Sequence, residues 1–145
     1  MVGRNQRYAL ADSAQQVVGG FLLAGPFVVT EEVWILANEM VWYNVLATVA
    51  IVFAIGYGAL YQADAGRDPD REAEVGGIPV RFVSLMIVSF GSVLVLGIAI
   101  TAPTTFAEQL ELGTEPAVVA ALTLKATTVG AIFSVVGAAT ADSVF

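Results

Sequence analysis

Three ionisable side chains stand where an apolar sequence has no ordinary use for them. Glu31 and Glu32 follow the run that crosses Pro26, and Lys125 lies inside the last apolar block. An ionisable group at mid-depth in a bilayer costs roughly 2.5–3.5 kcal/mol on the insertion scale, so each needs a partner or a water-filled route. At about 1.5 Å per helical residue, Glu31 falls about 20 Å from the start of a first crossing and Lys125 about 12 Å below the opposite surface. In a hydrocarbon slab of about 30 Å those depths nearly coincide. One reading is an acid–base couple beside a kink at Pro26, able to bind a cation or relay protons. The other is a static ion pair, or glutamates resting at the outer interface beside Trp34 while the lysine snorkels to water.

Other chemistries find no support in the residue types. There is no histidine and no cysteine, which removes imidazole and thiolate metal ligands, disulfides and the commonest general base. The serines therefore lack an activating partner, and no metal or cofactor is expected. Glu31 and Glu32 are adjacent, so on a helix they diverge by about 100° and do not flank one bond. Gly56 and Gly58 are followed by no basic helix start and form no phosphate loop. With 13 acids against 6 bases, no cationic patch exists to displace counterions from nucleic acid. The chain reads as a non-enzyme whose surroundings are the lipid bilayer.

The elements that must position those three side chains are apolar blocks. The 145 residues are 57% apolar and 13% charged, outside the range of a soluble domain. Four blocks are long enough to cross a bilayer: 17–37, 44–62, 80–101 and 117–139. The fold expected is an all-α bundle of four transmembrane helices in one membrane domain. Pro26 kinks the first, Trp42 and Tyr43 suit the interface before the second, and Pro79 and Pro116 suit the starts of the third and fourth. The polar stretch 63–78 is a loop, and 102–115 leaves the membrane again.

Arg4 and Arg7 precede the first block, and Arg67, Arg71 and Arg81 flank the long loop. Four crossings put all of these on one side, so both termini and the loop are expected in the cytoplasm. Residues 1–16, with Asp12, Gln15 and Gln16, read as a retained polar lead-in, and Asp142 as an interfacial charge. Serines and threonines within the blocks are expected to bond mostly to their own backbone.

Ala126, Gly130, Ser134 and Ala138 recur every fourth residue and make a strip of small side chains on one face. Such a strip serves packing within the chain or the seam of a homo-oligomer. A competing layout comes from an echo: Pro26 is followed five residues later by Glu31, and Pro103 by Glu108. If two hairpins were duplicated, the first crossing would begin near Arg7 and 27–43 would be re-entrant or interfacial, at the cost of drawing Asp12, Gln15 and Gln16 towards the bilayer.

The acids Asp64, Asp68, Asp70, Glu72 and Glu74 crowd the long loop, a surface like those of halophilic proteins or an ordinary solvated loop. The segment from Gly19 and Gly20 through Phe21, Leu22, Leu23, Ala24 and Gly25 to Pro26, with Thr30, Glu31 and Trp34 behind it, resembles a family of integral membrane proteins of unknown function known from halophilic archaea, with longer relatives in bacteria. The resemblance covers most of the chain. It implies membrane location and brings no activity with it. The reading is then a small channel or transporter-like module for ions or protons, with a non-transporting structural or accessory subunit as the alternative.

Overall fold

A computed structural model describes residues 10–62, 67–71 and 73–144. Arg4, Arg7, Asp64 and Glu72 lie outside the described residues. The fold is that of an all-α membrane protein. Helix α1 spans Leu10–Val28, α2 Glu31–Glu39, α3 Trp42–Tyr57, α4 Val80–Ala99, α5 Ala102–Gln109 and α6 Pro116–Val144. Gly58–Gln62 prolongs α3 as a π-helical turn, and a single 3-10 turn covers Pro69–Arg71. Strands β1 (Glu74–Val75) and β2 (Ile78–Pro79) form a two-residue antiparallel hairpin that turns on Gly76 and Gly77, both at positive φ. By length and composition, α3 with its π turn, α4 and α6 can each cross a membrane, and α1 with α2 makes a fourth candidate that is bent.

That bend is where sequence expectation and structure differ. The block 17–37 is not one kinked helix: it falls on α1 and α2, which meet at 82°. Proline at 26 has no N–H for the carbonyl a turn earlier, and the helix survives it by only two residues. The last turn is loose, with Val29 N to Gly25 O at 3.4 Å and Thr30 N to Phe27 O at 3.3 Å. Orphan carbonyls there find side-chain donors instead. Thr30 Oγ1 donates to Phe27 O at 3.0 Å, and the Trp34 indole N–H reaches back to Val28 O at 2.9 Å. Trp34 also stacks on Phe106 of α5, with centroids 5.3 Å apart and planes 18° apart.

The chain is therefore two successive units of long, short and long helix, α1–α2–α3 and α4–α5–α6. That order is the one the duplicated layout expects, and α1 is under way by Leu10, ahead of the block at 17–37. The proline echo itself does not map onto equal positions, because Pro26 lies in the last turn of α1 and Pro103 in the first turn of α5. The stretch 102–115, read as a plain connection, contains α5, which starts after Thr101 in left-handed conformation (φ 60°).

Helix α6 is the axis, and each of the other five packs against it. Lipid tails are as apolar as leucine, so contact between these helices depends on close fit rather than on escape from water. At the α1–α6 crossing, Gly19 meets Gly137 so closely that a Cβ on either would run into the other's carbonyl oxygen. A Cβ on Gly20 would lie 2.9 Å from Ser92 Oγ, and one on Gly130 2.7 Å from Val93 Cγ1. The small strip thus faces inward: Ala126, Gly130, Ser134 and Ala138 are all buried within this chain. Phe27 of α1 stacks on Phe133 of α6 with centroids 3.7 Å apart.

Candidate functional site

Helices α1 and α4 begin, and α6 ends, at the same end of the bundle. Asp12 and Gln16 stand one turn apart on α1, and so share a face. Arg81 and Ser84 do the same at the start of α4, and Asp142 occupies the last turn of α6. A 29-residue helix is about 43 Å long, more than the roughly 30 Å of hydrocarbon, so α6 carries Asp142 to the boundary between lipid and water.

There the five side chains converge. Arg81 Nη1 donates to Asp142 Oδ1 at 2.7 Å, and Nη2 of the same guanidinium to Asp12 Oδ2 at 3.1 Å. The Gln16 amide donates to Asp142 Oδ2 at 3.1 Å and to the Arg81 carbonyl at 3.4 Å. Its Oε1 accepts from the Ser84 hydroxyl at 2.7 Å, and the Ser13 and Ser84 hydroxyls are 3.0 Å apart. Arg67, from the loop, approaches Asp142 Oδ2 to 3.8 Å and donates to Ser143 Oγ at 3.4 Å.

Burial gives this cluster its electrostatic weight. The Asp142 side chain is 0% exposed and that of Arg81 9%, whereas Asp12 keeps 22%. At an effective dielectric constant of about 20, opposite charges about 4 Å apart attract by about 4 kcal/mol. Most of that repays desolvation, so the pair adds little net stability while the loss of one partner leaves a buried charge. Two carboxylates facing Arg81 and Arg67 leave the cluster balanced, and Asp12 additionally sits favourably in the first turn of α1.

The residues singled out in the sequence lie elsewhere. Glu31 and Glu32 are exposed in the first turn of α2, and Lys125 is half-buried on α6. Among the described residues, no ion pair within 4.0 Å joins Lys125 to either glutamate. Pro26 is exposed near the end of α1. The polar hydroxyls behave largely as expected, since Thr48, Ser89, Thr123, Thr127 and Thr128 each bond to a carbonyl of their own helix. Ser84 and Ser134 do not. The former belongs to the charged cluster, and the latter donates to Gly20 O across the α1–α6 seam at 3.1 Å.

Asp142, read as an interfacial charge, is the most enclosed carboxylate described, and Gln16, read as lead-in, is wholly buried. The turn spacing of Asp12 with Gln16, and the arginine just inside α4, were the available signals. Their meeting with a residue 126 positions away from Gln16 was not.

Comparison with curated proteins and with solved structures returns no match. Residues 3–144 match the family described as "Putative integral membrane protein (DUF2391)", and the chain belongs to that family.

Proposed function

We propose that this multi-pass membrane protein is a small transporter-like module for ions or protons, closed at one end by the Arg81–Asp142–Asp12 cluster. The observation that carries the reading is the Asp142 carboxylate, fully enclosed on one helix and neutralised by a guanidinium from another. A carboxylate enclosed among membrane-spanning helices, rather than lying on their surface, is by default a candidate for an ion or proton path. A cation competing for the Asp142 carboxylate would displace the Arg81 guanidinium that ties α4 to α6 there. On this reading Glu31 and Glu32, exposed at the start of α2, form an acidic mouth at the far end, and Lys125 lines the way between.

The test is flux in sealed liposomes under a pH or potassium gradient. Wild type should dissipate the gradient faster than empty vesicles, and Asp142→Asn should change the rate several-fold. Glu31→Gln with Glu32→Gln should lower it by less. A rate equal to that of empty vesicles defeats the proposal.

A second reading is favoured by one specific observation. Both the amide nitrogen and the amide oxygen of Gln16 are already engaged, as in a clamp built only to hold three helices. An accessory subunit of that kind would give no flux, and Asp142→Asn would alter stability or partner binding alone.

A further inference from the structure

The end of the bundle away from Arg81 and Asp142 carries the two short helices, and they are not fastened alike. Helix α2 is tied by a polar bond, the Trp34 indole N–H on Val28 O at 2.9 Å. Helix α5 has no such tie: among the described residues, no side-chain hydrogen bond or ion pair joins it to another helix. Its hydroxyls bond locally, Thr104 to Thr101 O at 3.4 Å and Thr105 within 3.3 Å of the Thr101 hydroxyl. What holds it is the burial of Ala102, Pro103 and Ala107 and the stack of Phe106 on Trp34.

Both joints of α5 are in left-handed backbone conformation. Thr101, before it, has φ 60° and ψ 26°, and Glu111, after it, has φ 60°. Each stands just past a helix end, where glycine is the usual residue because it has no Cβ to crowd the carbonyl. Threonine is the more unusual of the two, since a branched side chain makes this region a genuine outlier. Strain of this kind persists only where the surrounding structure imposes it, and it gathers at clamps and switches. Beside α5 lies a void of about 10 Å³, barely the room of one water. Pro103 of α5 walls it, together with Val28, Trp34, Gly97 and Ala126.

We propose that α5 is a hinged lid, swinging as one piece about Thr101 and Glu111, and that the Trp34–Phe106 stack is its latch. In the closed form both joints are left-handed and Ala107 is fully covered. In the open form the rings part, the joints relax to ordinary backbone, and water reaches the void. The absence of a polar tie lets this happen without leaving a buried donor or acceptor unpaired. A helix held as α2 is held would first have to break its bond. The closed form is thus balanced between apolar contact and joint strain, so a small change at either joint shifts it. This goes beyond the transporter reading, because the lid uncovers the same void whether or not anything crosses the membrane.

The test is thiol labelling of the full chain in phosphatidylcholine nanodiscs with a sulfonated maleimide, since the sequence has no cysteine of its own. Ala107 of α5 and Ala37 of α2 are both 0% exposed at the same end of the bundle. Local opening of α5 should make Ala107→Cys label about tenfold faster than Ala37→Cys. Thr101→Gly or Glu111→Gly, which relieves the closed form, should slow Ala107→Cys about fivefold and leave Ala37→Cys unchanged. Phe106→Ala, which removes the latch, should speed it several-fold. Ala102→Cys, buried at the other end of α5, repeats the measurement if sulfur at 107 prevents folding. Equal rates at 37 and 107, glycine substitutions that leave the rate unchanged or raise it, or no effect of Phe106→Ala would each overturn the lid. Because no gradient is applied, failure here leaves the flux experiment untouched, and absence of flux leaves this result standing.

Discussion

Gly19 and Gly137 face each other at the α1–α6 crossing with no space for a side-chain atom on either. Alanine at either position must push the two helices apart. Overpacking of this kind costs about 1–3 kcal/mol, and both variants should show it as a lowered unfolding midpoint in detergent. Gly91→Ala has open space and a better helix former, so it should be neutral or stabilising by up to about 1 kcal/mol. Equal losses at all three positions would refute the close crossing.

Arg81→Ala leaves Asp142 enclosed without its closest counter-charge, and should destabilise by about 3–5 kcal/mol. Combining it with Asp142→Asn should recover part of that loss. A double-mutant cycle measures the coupling, and a sum of the single effects without recovery would show that the pair does not interact.

Much of this architecture was legible from composition. The apolar blocks at 44–62, 80–101 and 117–139 overlay α3, α4 and α6 because a bilayer admits few alternatives to a helix of that length. The first block misled for a local reason: apolarity continues through 27–37 while the backbone turns away, held by the Trp34 indole on the Val28 carbonyl. Hydropathy does not register a change of direction. The charged cluster was hidden for another reason, since depth along separate spans says nothing about which faces meet. Depth alone paired Lys125 with Glu31. The close glycine contact instead fixes how α1 and α6 register, and brings Gln16 to Asp142.

Trp34→Phe keeps a ring for Phe106 but removes the donor to Val28 O. A loss of about 0.5–1.5 kcal/mol is expected from the hydrogen bond alone. Trp34→Ala removes the ring as well and should cost about 3–5 kcal/mol. Chemical denaturation of both variants checks the difference; if phenylalanine were as damaging as alanine, the stack would contribute nothing.

Ser134→Ala removes one hydroxyl bond across the α1–α6 seam. Such interhelical bonds average only about 0.6 kcal/mol in a membrane, so this variant should lie well above Gly137→Ala in thermal stability. The opposite order would make the hydroxyl, rather than the glycine contact, the main tie.

Every other helix leans on α6, yet α6 is translated after all of them. While the ribosome is still making 116–144, the earlier segments must wait in the translocon or the surrounding lipid without their common support. Arg81 and Gln16 then have no Asp142 to meet. Assembly of the described helices is therefore governed by α6, and a nascent chain arrested before it should be a ready substrate for membrane quality-control proteases.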